Sequence, residues 1–118
     1  MSLGYCALGK LKCQDDIYVY YLYSGENWND KECKIDDRLL YDGLIKIDKN
    51  IFREEDAYYN NISRAILDEK IQVVIECRNA FYRFNDIKFD YLALHIVYDI
   101  FKKYRINYVL PEKVGFIQ

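Results

Sequence analysis

One amphipathic segment, residues 89–104, constrains the fold of this chain more than any other. Asn85 and Asp86 precede it as candidate N-caps, and Asp90 suits its first turn. A helix with one apolar stripe has to bury that stripe against a second layer of structure. The apolar side chains recur at intervals of three and four residues, the spacing of one helix face, and they are Phe89, Leu92, Ala93, Ile96, Val97, Ile100, Phe101 and Tyr104.

The size and composition of the chain predict one compact domain spanning residues 1–118. Its 118 residues suffice for a single hydrophobic core. With 52% hydrophobic and 31% charged residues, the chain is not expected to be disordered. No apolar run approaches the roughly 20 residues of a membrane span, and the first residues do not resemble a signal peptide. We therefore predict a cytoplasmic protein with no membrane partner.

The charge and the tyrosine content bear on the kind of partner. A formal net charge of -2 argues against a dominant nucleic-acid interface, although it leaves local basic patches open. The thirteen tyrosines suit strand faces and contact surfaces that are partly hydrated. A compositional bias of the source genome would explain the tyrosines equally well.

The first part of the chain predicts an N-terminal β-hairpin followed by a long loop. Apolar and polar residues alternate over residues 5–14, and residues 17–23 form a run of β-branched and aromatic side chains. The polar residues 14–16 between them predict a turn. The polar segment 24–37 then predicts a loop, with Trp28 in its middle.

A second hairpin is predicted from the segments 38–41 and 44–48. They flank Asp42-Gly43, a dipeptide that type I′ turns favour because both central residues need positive φ. A single bulged strand is the alternative.

Helix and strand patterns alternate over the rest of the chain. Residues 54–70 predict a helix, and residues 71–77 predict a strand or, alternatively, the continuation of a long helix. Residues 106–110 predict a last strand that stops at Pro111. The fold class expected from this order is α+β, a mostly antiparallel sheet of four to six strands with two helices packed on one face.

His95 and Asp99 are the candidate catalytic residues, because a helix places them one turn apart and the carboxylate could orient the imidazole. They support a small enzyme as an alternative function.

The four cysteines form no CxxC pair and His95 is the single histidine, so no metal site is predicted. The Gly4 to Leu11 segment has phosphate-loop spacing, but Leu11 replaces the required hydroxyl residue and no cofactor is predicted.

A third hypothesis is binding of single-stranded RNA. Residues 78–84 mix arginines with aromatic rings, which together can neutralise phosphates and stack on bases. Core aromatics flanked by solvent-facing arginines account for the same pattern. The residues concerned are Arg78, Phe81, Arg83 and Phe84.

The leading hypothesis is a protein-interaction module without enzymatic activity. Tyr91, Leu94 and Tyr98 lie opposite the main stripe of the predicted helix and form a second aromatic face. Trp28, with Tyr23 nearby, is an anchor residue type in a polar loop. The partner would be another protein or a second copy of the chain. By analogy, an acidic domain of this kind suits a bacterial immunity or antitoxin-like inhibitor whose toxin has a basic active site.

Overall fold

The computed structural model of the protein describes residues 5–27, 41–53, 62–78, 80 and 89–117. The strands and helices of these ranges are, in chain order, β1 (Tyr5–Gln14), β2 (Tyr18–Asn27), β3 (Gly43–Asp48), α1 (Asn50–Arg53), α2 (Ile62–Leu67), β4 (Ile71–Ile75), α3 (Tyr91–Asn107) and β5 (Lys113–Ile117).

The strands form an antiparallel sheet in the order β4-β3-β2-β1-β5. The long helix α3 crosses one face of this sheet and packs on β1, β2 and β5. The predicted α+β class, with an antiparallel sheet and helices on one face, is confirmed.

The hydrophobic core lies between α3 and the sheet. Alternate residues of each strand point to this layer, as Val19, Tyr21 and Tyr23 do on β2, where all three are fully buried. The short helix α1 joins the same core, because the ring of Phe52 stacks on that of Phe101 with 4.9 Å between their centroids. The predicted stripe of α3 is confirmed over its fully buried members, Leu92, Ala93, Ile96, Val97, Ile100 and Phe101.

The N-terminus of α3 is capped by Asp90 rather than by the two residues expected. Its Oδ1 accepts a hydrogen bond from the Leu92 N–H at 3.1 Å, and its backbone is not helical. Asp90 therefore precedes the first turn instead of belonging to it. Asn85 and Asp86 lie outside the described residues.

The strand predicted over residues 106–110 is wrong. Ile106 and Asn107 complete α3, and the left-handed residue Tyr108 is its C-cap, with its N–H donating to the Tyr104 carbonyl. The β-branched residues of this segment have strand propensity, but propensity is a weak preference that a continuing helix overrides. The last strand, β5, begins beyond Pro111 and pairs with β1, where Val114 is buried.

The predicted N-terminal hairpin is confirmed, with small shifts at both ends. Its turn is held by Asp15, whose Oδ1 accepts hydrogen bonds from the N–H groups of Ile17 and Tyr18 at 2.7 and 2.6 Å. These two bonds to the ionised form lower the pKa of Asp15. Residues 24–27 pair with β1, so the loop predicted from residue 24 starts too early.

The second predicted hairpin is wrong. Gly43 opens β3, and no glycine in the described ranges has a positive φ. Both edges of β3 are occupied, by β2 and β4, which leaves no position beside it for a hairpin partner. Gly43 is required instead because a Cβ there would collide with the Tyr23 ring on the opposite strand. Residues 38–40 lie outside the described ranges.

The strand predicted over residues 71–77 is confirmed as β4, so its alternative, a long helix, is wrong. The helix α2 ends at Leu67, and Glu69 adopts a left-handed conformation with φ of 61°. The Lys70 N–H donates back to the Ala65 carbonyl at 2.9 Å, closing the helix end. Of the helix predicted over 54–70, residues 54–61 lie outside the described part of the chain.

Candidate interaction surface

The side of α3 that faces away from the sheet becomes more exposed toward the carboxyl end. Tyr91, at the first turn, is only 8% exposed, and Leu94 and His95 are half-buried. Tyr98 is 44% exposed and Ile106 is 76% exposed. The predicted face of Tyr91, Leu94 and Tyr98 is therefore accessible mainly at Tyr98 and beyond it.

Three apolar side chains are exposed within four residues at the end of α3, and we call them the α3 terminal patch. Ile106, Tyr108 and Val109 are 76%, 66% and 61% exposed. Adjacent exposed apolar residues of this size are typical of interaction sites. This patch was not predicted from the sequence, because the residues of this segment favour a strand, in which alternate side chains would be buried.

The backbone of the patch is held in an uncommon conformation. Tyr108 has φ 59° and ψ 28°, a region that bulky residues rarely adopt. Its ring packs edge-on against that of Tyr104, with 5.9 Å between centroids. The side chain of Asn107 accepts a hydrogen bond from the Val109 N–H at 3.1 Å. These contacts fix the turn that presents Tyr108 and Val109 to solvent.

Positive charge borders the α3 terminal patch. Lys102 and Arg105 are exposed on the last two turns of α3, where the helix dipole favours cations. Lys103, beside them, forms a 3.1 Å ion pair with Asp99, and its Nζ also donates to the Lys113 carbonyl at 3.3 Å. Lys102 and Arg105 give the patch a basic rim. Lys103 links α3 to β5.

Asp99, predicted to orient His95, contacts β5 and the neighbouring turn of α3. Its carboxylate accepts a hydrogen bond from the Gly115 N–H at 2.9 Å in addition to the Lys103 ion pair, so it joins α3 to β5. His95 packs edge-on against Tyr91, with centroids 4.5 Å apart, and lies 6.3 Å from the ring of Tyr98. The contacts described for Asp99 therefore serve the fold.

Tyr23, predicted to lie at a partner-binding surface, is instead fully buried. Its hydroxyl donates to Asp90 Oδ2 at 2.6 Å and accepts from the Cys77 N–H at 3.1 Å. The Cys77 thiol lies 3.8 Å from the same carboxylate oxygen. Burial, together with the negative charge of Asp90, raises the pKa of Tyr23 far above its ordinary value. The phenol ties β2 to the start of α3 and is not available to a partner.

An open cavity of about 460 Å³ lies beside this network, between α2, β4 and the start of α3. Asp90 lines it, but the oxygens of this carboxylate already hold Leu92, Tyr23 and Cys77. His95 is not among the described lining residues, which are Ile66, Ile71, Gln72, Val73, Val74, Glu76, Phe89 and Asp90. The described cavity therefore does not adjoin the predicted catalytic pair.

The remaining candidate residues are mostly outside the described part of the chain. Trp28, Phe81, Arg83 and Phe84 are among these, so the structure does not locate the loop anchor or most of the RNA-binding segment. Arg78 is exposed, and its backbone N–H donates to the Asp42 carboxylate at 2.9 Å.

The described residues contain neither a cluster of metal ligands nor a helix that could span a membrane. Within residues 5–27, 41–53, 62–78, 80 and 89–117, no three histidine, cysteine or acidic side chains come together as metal ligands. Over the same ranges, none of the helices has the length and apolarity needed to cross a membrane.

Comparisons of the chain with protein-family models, with curated proteins and with solved structures give no match.

Proposed function

We propose that the protein is a non-enzymatic protein-interaction module and that the α3 terminal patch is its contact surface. The observation that carries the proposal is the exposure of Ile106, Tyr108 and Val109, each above 60%, within four residues at one helix end. Water around such side chains is released when a partner covers them, which favours association.

The residue types of the patch suit a binding surface. Tyrosine and arginine are enriched among the residues that contribute most to interface energy, and here Tyr108 lies beside Arg105. The fixed turn also favours binding, because little conformational freedom remains to be lost at Tyr108. The apolar centre and the basic rim reproduce the usual arrangement of a protein interface.

The charge of the rim favours an acidic partner. Lys102 and Arg105 would attract carboxylates and repel a basic surface. A second copy of this chain, with its net charge of -2, is one such partner. Our finer proposal, a cytoplasmic bacterial immunity or antitoxin-like inhibitor, rests on analogy and on that net acidity. A toxin with a basic active site would have to contact a surface other than this patch.

The experiment compares two double variants that remove equal amounts of exposed apolar surface. Ile106→Ser with Val109→Ser alters the patch, and Leu67→Ser with Ile17→Ser alters two comparably exposed side chains elsewhere. We expect the patch variant to weaken self-association, or the capture of a partner from native lysate, by at least about tenfold. The control variant should behave like the original protein.

Light scattering coupled to size exclusion measures self-association, and a pull-down from native lysate measures capture of a different protein. Thermal unfolding of both variants shows whether each is folded. If the two variants retain association equally, the patch is not the contact surface.

A further inference from the structure

The face of the sheet that points away from α3 combines lysines with tyrosines. On β2 the buried residues Val19 and Tyr21 alternate with Tyr18, Tyr20 and Leu22, which therefore point to the other side. Tyr18, Tyr20 and Leu22 are half-buried on that side. We call it the outer sheet face, and it comprises Lys10, Tyr18, Tyr20, Leu22, Lys46 and Lys113.

The strand register brings these side chains next to one another. Tyr20 of β2 lies opposite Lys46 of β3, and Leu22 lies opposite Lys10 of β1. Lys10 in turn lies opposite Lys113 of β5, and both lysines are exposed. Like charges directly opposite one another on neighbouring strands are unfavourable. A bound anion would relieve this repulsion.

Two lysines of this face are held over aromatic rings. The ammonium of Lys46 lies 4.0 Å from the centroid of the Tyr18 ring, and that of Lys10 lies 4.6 Å from that of Tyr41. The rings of Tyr18 and Tyr20 are 6.5 Å apart and tilted by 55°. The tyrosine rings of β2 therefore lie between a lysine of β1 and a lysine of β3.

The outer sheet face is basic although the chain as a whole is acidic. Among the outward-pointing strand residues whose side chains the structure describes, the acidic one is Asp48, which is 8% exposed and lies 3.5 Å from the Lys70 ammonium. Lys10, Lys46 and Lys113 therefore give the outer sheet face its positive charge. This local excess of positive charge contrasts with the net charge of -2 of the whole chain.

We propose that the outer sheet face binds single-stranded nucleic acid. Lysines neutralise phosphates, and unpaired bases stack on aromatic rings exposed on a sheet. Tyr18 and Tyr20 supply two rings on the central strand, and Lys10, Lys46 and Lys113 supply charge on the strands around it. An acidic peptide would use the lysines but would have no bases to stack on the rings, so the tyrosines favour the nucleic acid.

The test measures binding of a fluorescein-labelled single-stranded RNA of about twelve nucleotides by fluorescence anisotropy, as a function of salt. The variant Lys10→Ser with Lys113→Ser is expected to bind at least about tenfold more weakly. Its salt dependence should be shallower by about 1.4, since each lost phosphate contact removes about 0.7 from the slope for a single strand. Tyr20→Leu should weaken binding by about tenfold through lost stacking.

The matched control is Arg53→Ser with Arg64→Ser, which removes two exposed positive charges from α1 and α2. It should change the affinity by less than about threefold, because these residues lie in the helix layer. Three results would overturn the proposal: no saturable binding at low salt, equal weakening by both double variants, or displacement of the RNA by polyglutamate of equal charge as effectively as by unlabelled RNA. Loss of binding in Arg78→Ser, without loss in the lysine variant, would also overturn it.

Discussion

Tyr23 shows how a single hydroxyl can join distant parts of the chain. Its ring is covered by the core, and its hydroxyl contacts the N-cap of α3 and the backbone that follows β4. The same ring requires Gly43 opposite it, because any larger residue would collide with it. These contacts cannot be predicted from a tyrosine in a hydrophobic run, because Cys77 and Asp90 lie 54 and 67 positions further along the chain.

We expect Tyr23→Phe to lower the free energy of unfolding by about 1–3 kcal/mol, because the substitution leaves a buried carboxylate and a buried N–H each short of one hydrogen bond. Tyr21→Phe is the matched control. It removes one hydrogen bond, to the carbonyl of Pro111 at 2.6 Å in a partly buried position, and should cost about 1 kcal/mol. Urea unfolding of both variants measures the difference, and a larger loss for Tyr21→Phe would contradict this account.

The helix α3 ends on a residue that is poorly suited to its backbone conformation. Glycine and asparagine are the usual residues at a left-handed C-cap, and Tyr108 occupies that position here. Unfavourable conformations that persist are found more often at functional sites than elsewhere. At Tyr108 the unfavourable residue is also one of the three that form the exposed patch.

We therefore expect Tyr108→Asn to separate stability from binding. Asparagine tolerates the left-handed conformation better than tyrosine, so the free energy of unfolding should stay unchanged or rise by up to about 1 kcal/mol. Association through the patch should weaken, because the exposed ring is lost. Urea unfolding and light scattering on the same sample test both parts. A stability loss greater than about 1 kcal/mol would show that the Tyr108 ring serves mainly the packing against Tyr104.

Elements with an unbroken periodic pattern could be predicted from the sequence, whereas their ends could not. The stripe of α3 repeats over four turns, and the alternation of β1 and the apolar run of β2 extend over several residues each, so tertiary packing agrees with local preference. At residues 106–110 two β-branched residues and a tyrosine favour a strand, but the backbone continues as a helix to Asn107. The dipeptide Asp42-Gly43 is typical of a turn, but Gly43 is needed because a Cβ at this position would collide with the Tyr23 ring.

The candidate surfaces could be predicted from the sequence even less than the element ends, because they depend on the fold. The lysines and tyrosines of the outer sheet face come from strands that are far apart in the sequence, and only the strand order brings Lys10, Lys46 and Lys113 onto one surface. The α3 terminal patch depends on where the helix stops. Neither the strand order nor that end point is encoded in a local pattern.

At the scale of the whole molecule, the two proposed surfaces lie on opposite sides. The sheet separates them, since α3 covers one face and the outer sheet face is the other. A partner on the α3 terminal patch would therefore leave the sheet face accessible. The patch and sheet variants should act independently, because mutations that share no contacts are usually additive.

The stability of the whole protein should decrease at alkaline pH because two tyrosines are buried in the core. Burial raises the pKa of Tyr21 and Tyr23 above the ordinary value of 10.0, and the Asp90 charge raises that of Tyr23 further. Below that value both phenols stay protonated in the folded and the unfolded chain, so their contribution to stability is complete. Above it, the unfolded chain releases protons that the folded chain retains. The unfolded state is then favoured by about 1.4 kcal/mol per pH unit for each tyrosine.

Urea unfolding between about pH 9 and pH 11 measures this slope. Tyr23→Phe should make the average slope over this range shallower by about 0.7 kcal/mol per pH unit, because one of the two retained protons is gone and the unfolded phenol is about half ionised on average there. Tyr98→Phe, which alters an exposed side chain, should leave the slope as in the original protein. Equal slopes for Tyr23→Phe and the original protein would show that the Tyr23 phenol ionises in the folded chain as easily as in the unfolded one, contrary to its contacts with Asp90 and Cys77.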